Sequence, residues 1–139
     1  MAARHLTTGR AGEDAAERHL THKGWTVLAR NWRPRDRAGQ GSLELDLVCR
    51  EKGRKGAIVF VEVKTRAAGG LARPDQALTP AKQRNLVRAA GLWLSENNAW
   101  DKPCRFDLVA VTPVPDGEPV IEQFTNVIDM ESSGGWQPW

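Results

Sequence analysis

Glu62 and Lys64 stand two residues apart in VFVEVKTR (59–66), and Asp46 stands in LELDLVCR (43–50). Carboxylates that meet on neighbouring strands can hold a hard divalent cation, and a lysine beside them can orient a water molecule or meet developing negative charge. In an extended chain Val59, Val61 and Val63 point one way while Ile58, Phe60, Glu62 and Lys64 point the other. One face therefore turns from apolar to charged towards the end of the strand. That pattern suits a strand that leaves the core and reaches a site at its tip. It equally suits a strand emerging into solvent with a Glu–Lys surface pair of little worth.

The turn EKGRKG (51–56) joins these two stretches into an antiparallel hairpin. With the turn centred near Arg54, Val48 faces Phe60, Asp46 faces Glu62 and Glu44 faces Lys64. Facing Cβ atoms lie about 4.5–5.5 Å apart. Two ionised carboxylates at about 5 Å, in an effective dielectric near 20, repel by roughly 3 kcal/mol, enough to raise a pKa by about two units. Protonating one acid, pairing with Lys64 or binding a divalent cation would relieve the repulsion. A slip of one residue would send the two acids to opposite faces, so the proposed site depends on this register.

The elements around the hairpin follow from periodicity and punctuation. GRAGEDAAERHLTHK (9–23) reads as a helix, with Thr8 as its cap, Gly24 as its stop and Ala16 and Leu20 on its inner stripe. Glu13 lies on or beside that stripe, as a site residue or as compensation for the helix dipole. WTVLARNW (25–32) reads as a strand, followed by the turn RPRDRAGQGS and the hairpin, in which Leu43, Leu45, Leu47 and Cys49 share a face. A small-residue loop, TRAAGGLARPDQALTP (65–80), precedes a second helix that opens at Thr79–Pro80 and runs to about Asn97. Its inward stripe carries Gln83 with Val87, Ala90 and Leu94. Two more strands follow, at 104–111 and 119–124. The order predicts an α/β domain over residues 1–130, a mixed central sheet of about five strands flanked by helices, with a flexible tail at 131–139.

The chain has 139 residues and a formal net charge of +3, with a pI near 9.2. Basic residues cluster in RNWRPRDR (Arg30, Arg33, Arg35, Arg37), in REKGRK (50–55) and in KQRNLVR (Lys82, Arg84, Arg88), and Arg66 follows the third strand. Such groups suit phosphate contacts, and solvated turns are often basic too. No apolar run is long enough to span a bilayer and no secretory signal is evident, so a cytoplasmic protein is expected. Cys49 and Cys104 read as small buried residues. His19 and His22, three apart on the first helix, lack a further metal ligand. Asp107 reads as a structural ion pair with Arg105, and Trp25, Trp32 and Trp93 as core, although Trp32 could stack on bases. Trp136 and Trp139 in the tail could cover a partner subunit.

The segments GRAGEDAAERHL, VLARNWR, ELDLV, VFVEVKTR, ALTPAKQRNL and RFDLVAV together resemble the YraN family of small bacterial proteins. That family's fold is similar to archaeal Holliday junction resolvases, restriction-endonuclease-like proteins of the PD-(D/E)xK nuclease superfamily. The resemblance runs from about Gly9 to Val111. It implies that Asp46 and Glu62 ligate Mg²⁺ or Mn²⁺, that Lys64 assists the water, that Glu13 completes the acidic cluster and that Gln83 supports it. It further implies DNA as substrate, branched or single-stranded; the basic residues Arg30, Arg33, Arg35, Arg66, Lys82 and Arg84 are the expected phosphate contacts by their charge and placement. A homodimer is one arrangement it suggests, because related resolvases act as dimers. Leu45 stands where the superfamily's motif has proline, and a fold retained for binding without hydrolysis is the alternative reading.

Overall fold

Leu47 faces Val61, Val48 faces Phe60, Cys49 faces Val59 and Arg50 faces Ile58, which is the register expected from the turn. The computed structural model describes residues 2–35, 43–53, 55–67 and 77–129, with residues 2–8 described by their backbone. The proposed tail, Arg37, Arg54 and most of the 65–80 loop lie outside the described residues. The elements are α1 (Ala2–His22), β1 (Thr26–Trp32), β2 (Leu45–Arg50), β3 (Ile58–Thr65), α2 (Pro80–Glu96), β4 (Cys104–Thr112) and β5 (Val120–Phe124). They form a mixed five-stranded sheet in the order β1-β2-β3-β4-β5. β3 and β4 pair in parallel and the other neighbours are antiparallel. A parallel join needs a crossover, and α2 supplies it.

The valine and even-numbered faces of β3 separate as alternation requires. Val59 and Val61 pack with Ala15, Ala16 and Leu20 of α1, joined by Trp25, Leu47, Cys49, Val109 and Val111. Ile58 and Phe60 pack on the other side with Leu86, Val87, Ala90, Trp93 and Leu94 of α2. Phe60 anchors that layer, edge-on to Trp93 at 5.9 Å and stacked on Phe106 at 5.3 Å between centroids. Each helix thus covers one face, and the charged end of the even face comes out under the first turn of α2.

Three expectations are corrected. Helix α1 begins at Ala2 rather than Gly9. Its leading AARHL contains good helix formers, so propagation continues through Thr8 instead of starting there. Leu43 and Leu45 do not share a face with Leu47 and Cys49: they belong to the α2-side layer. β2 begins only at Leu45, and the chain enters it from the α2 side, so strict alternation sets in one residue later. Glu44, just before the strand, pairs with Arg33 at 2.8 Å rather than facing Lys64.

The other boundaries agree with the sequence. Gly24 ends α1 at φ +92°, a conformation that suits glycine. Thr79 caps α2, its Oγ1 accepting the Lys82 N–H at 3.2 Å, with Pro80 in the first turn. Asn97 closes the helix. Trp25 and Trp93 are buried, and Trp32 packs against the α2-side layer.

Candidate active site

Asp46 on β2 and Glu62 on β3 stand just beyond the Leu47–Val61 pair that ends the β2–β3 ladder, and both line one cleft at the end of the hairpin. Asp46 is half-buried, and its Oδ2 accepts the Val63 N–H at 2.9 Å. Burial pushes its carboxyl up to about 7; the Glu62 charge and a hydrogen bond to Glu62 add to the rise, the Val63 N–H opposes it, and the Glu13 charge contributes further. The repulsion expected from the sequence is therefore present. Asp46 is thus partly protonated near neutrality.

The second acid has a cationic partner. Lys82, in the first turn of α2, sets its Nζ 3.1 Å from Glu62 Oε2, with the Glu62 side chain only 14% exposed and that of Lys82 48% exposed. Burial draws the Lys82 ammonium's pKa down, but Glu62, Asp46 and Glu44 more than offset this and leave it above its ordinary value. Glu44, Asp46, Glu62, Lys82, Asn85 and Leu86 line an open cleft of about 330 Å³. Lys64 is exposed on β3, beyond Glu62. The sequence placed Lys82 among phosphate contacts, whereas the structure sets it against the acids. Its position four residues before the buried Leu86 was the available signal, since that spacing shares a helix face.

The remaining candidates occupy varied surroundings. Glu13 lies on the α1 side and accepts from Arg30 Nη2 at 3.3 Å and Asn31 Nδ2 at 3.1 Å, so it influences Asp46 by charge from across the end of the sheet. Arg30 also binds Asp14 at 2.7 Å and Glu17 at 3.2 Å. Gln83 turns away from the acids and donates from Nε2 to the Leu78 carbonyl at 2.9 Å. Arg66 donates to Thr112 at 3.2 Å and pairs with Glu122. Arg35 is exposed near Glu96, at 3.9 Å. Arg84 and Arg88 are exposed on α2.

The cleft's donor set suits a hard divalent cation, because Asp46 and Glu62 offer carboxylate oxygens on an open cavity, and Mg²⁺ commonly takes one or two carboxylates with waters completing its shell. Among the described residues, no three histidine, cysteine, aspartate or glutamate side chains come together as a metal cluster. The fit is thus a two-carboxylate one.

A mixed five-stranded sheet with a helix on each face, carrying paired acids at the end of its central hairpin, is an α/β fold compatible with the restriction-endonuclease-like class. Residues 12–111 match the uncharacterised protein family UPF0102, and the chain belongs to that family, the YraN family. It is 56% identical over 108 residues to a UPF0102 protein of Oleidesulfovibrio alaskensis, covering 78% of this chain and 49% of that relative, about half its length. It is 49% identical over 142 residues to a UPF0102 protein of Nitratidesulfovibrio vulgaris, covering 99% and 98% of the two. A relative from Symbiobacterium thermophilum is 46% identical over 109 residues, covering 78% of this chain and 85% of the other. Among the described residues, no helix is long and apolar enough to cross a membrane.

Proposed function

We propose that this protein is a Mg²⁺- or Mn²⁺-dependent endonuclease that hydrolyses DNA phosphodiesters, with branched or single-stranded DNA as its substrate class. The carrying observation is the meeting of Asp46 and Glu62 on adjacent strands, where burial and mutual charge raise the Asp46 carboxyl to about 7. Asp46 and Glu62 would hold the metal, which when bound supplies a Lewis acid and an activated water. The Val63 N–H fixes Asp46 Oδ2. Glu13 adds negative charge beyond the end of the sheet. Exposed Lys64, Arg84 and Arg88 would supply cations for phosphates. The test is incubation with branched, single-stranded and linear duplex DNA in Mg²⁺ or Mn²⁺. Cutting that disappears in Glu62→Ala supports the reading; no cutting of any substrate, or cutting unaffected by Glu62→Ala, overturns it.

A second reading, a nucleic-acid-binding or assembly module on the same fold, draws support from the Lys82 pairing, which balances Glu62 without a metal. It predicts salt-sensitive DNA binding that survives both Asp46→Ala and Glu62→Ala, with no turnover in the parent protein.

A further inference from the structure

Two lysines compete for the role of the cation in this site. Lys64 follows Glu62 by one pleat, about 7 Å along the strand, and its expected partner Glu44 is taken by Arg33 at 2.8 Å. Lys82 comes from a different element. Its ammonium is 3.1 Å from Glu62 Oε2, and its side chain lines the same cleft as Asp46 and Glu62. Its backbone is fixed by Thr79, whose Oγ1 accepts the Lys82 N–H at 3.2 Å and whose carbonyl accepts the Gln83 N–H at 2.9 Å. The base of the side chain is therefore held while its flexible four-carbon stem lets the ammonium reorient. Glu62 is largely covered and cannot shed this partner for water at no cost.

We propose that Lys82 is the resident counter-ion of Glu62, the group a divalent cation must displace, and that its released ammonium then serves the substrate's phosphodiester anion. This rests on the metal-site reading above and assigns α2 a part in it. Lys82 becomes a positioning residue for the backbone phosphate, and Lys64 an outer contact. No bond is made or broken by the exchange. An ammonium–carboxylate pair is replaced by a metal–carboxylate contact, and the ammonium acquires a phosphate oxygen as acceptor.

Calorimetric titration with Mn²⁺ tests the exchange without relying on activity. Wild type, Lys82→Met and Lys64→Met are compared at pH 7.5, and thermal melts confirm that each is folded. Removing the competing ammonium should tighten Mn²⁺ binding about three- to fivefold in Lys82→Met, the worth of a half-exposed pair, and leave Lys64→Met within about twofold of wild type. Binding of branched DNA in Ca²⁺ should weaken more in Lys82→Met than in Lys64→Met. Unchanged or weaker Mn²⁺ binding in a folded Lys82→Met, beside a wild type that binds, overturns the inference while sparing the metal site. Mn²⁺ binding gained only on removing Lys82 supports it. No Mn²⁺ binding in any of the three proteins overturns the metal-site reading and the inference together.

Discussion

Helix α1 crosses strand β3 so closely that a Cβ on Gly12 would stand 2.0 Å from Thr65 Oγ1. The approach sets the next residue, Glu13, at the end of the sheet, where its charge reaches Asp46. In an ordinary helix Gly→Ala gains about 1 kcal/mol, but here Thr65 must rotate or the helix must lift. Gly12→Ala should destabilise by about 1–3 kcal/mol, the usual range for overpacking. In a Thr65→Ala background the same change should become neutral or stabilising. Urea denaturation of the four proteins in the cycle measures this. A Gly12→Ala chain as stable as wild type would show that the contact yields without strain.

The raised Asp46 carboxyl makes the metal-free protein sensitive to pH. A folded-state pKa of about 7 against an ordinary 3.8 means that the native state holds a proton which the unfolded chain has released. This group's contribution therefore falls as pH rises from about 4 to about 7, and the loss is complete above that. At 1.36 kcal/mol per pH interval the ceiling is about 4 kcal/mol, which solvent at the cleft should reduce to roughly 1–3. Asp46→Asn removes the titration and keeps an acceptor for the Val63 N–H. It should melt several degrees above wild type at pH 8 and match it near pH 4. Mn²⁺ should raise the wild-type melting temperature at pH 8 and leave the variant's nearly unchanged.

Arg30 gathers three acids of α1 onto β1: Asp14 at 2.7 Å, Glu17 at 3.2 Å and Glu13 at 3.3 Å. Its side chain is about a quarter exposed, so substitution leaves partly covered carboxylates to repel one another. Arg30→Met should cost about 1–3 kcal/mol at pH 7, with the deficit shrinking in high salt as the acids are screened from one another. DNA affinity measured on the folded variant should fall less than in Arg84→Met. The opposite order would make Arg30 a phosphate contact that leaves its acids to reach DNA.

The hairpin was legible because its register is written twice, in the turn and in the pairing of Val48 with Phe60. A single-residue slip would have sent Asp46 and Glu62 to opposite faces of the sheet. The Gly24 stop and the Thr79–Pro80 start were legible because each requires a particular backbone conformation. The identity of the cation at Glu62 was not. It depends on how far α2 is rotated and advanced over β3, which the packing of Phe60, Trp93 and Leu86 decides. Gln83 shows the same limit: it lies on an inward stripe, as its spacing implies, yet its amide satisfies the Leu78 carbonyl rather than the acids. Leu45 departs from simple alternation because it opens its strand.

Asp107 supplies a control for the site, being a buried acid that binds other groups. It is 1% exposed and accepts from Arg105 Nε at 3.0 Å and Nη2 at 3.3 Å, from Gln123 Nε2 at 3.0 Å and from the Asn126 N–H at 3.0 Å. These bonds tie β4 to β5 and to the chain beyond it. Arg105 keeps a second acid, Glu51, at 3.0 Å, so loss of Asp107 does not leave the guanidinium unpaired. The amide and the N–H do lose their acceptor. Asp107→Ala should therefore cost about 3–5 kcal/mol and Asp107→Asn roughly 1–2, read as a lower urea midpoint with an unchanged slope. Provided the variant is folded, its Mn²⁺ affinity should stay within about twofold of wild type, because Asp46 and Glu62 open onto the α2 side. An Asp107→Asn protein that folds normally but no longer binds Mn²⁺ would place this carboxylate in the metal site and require the cleft to be redrawn.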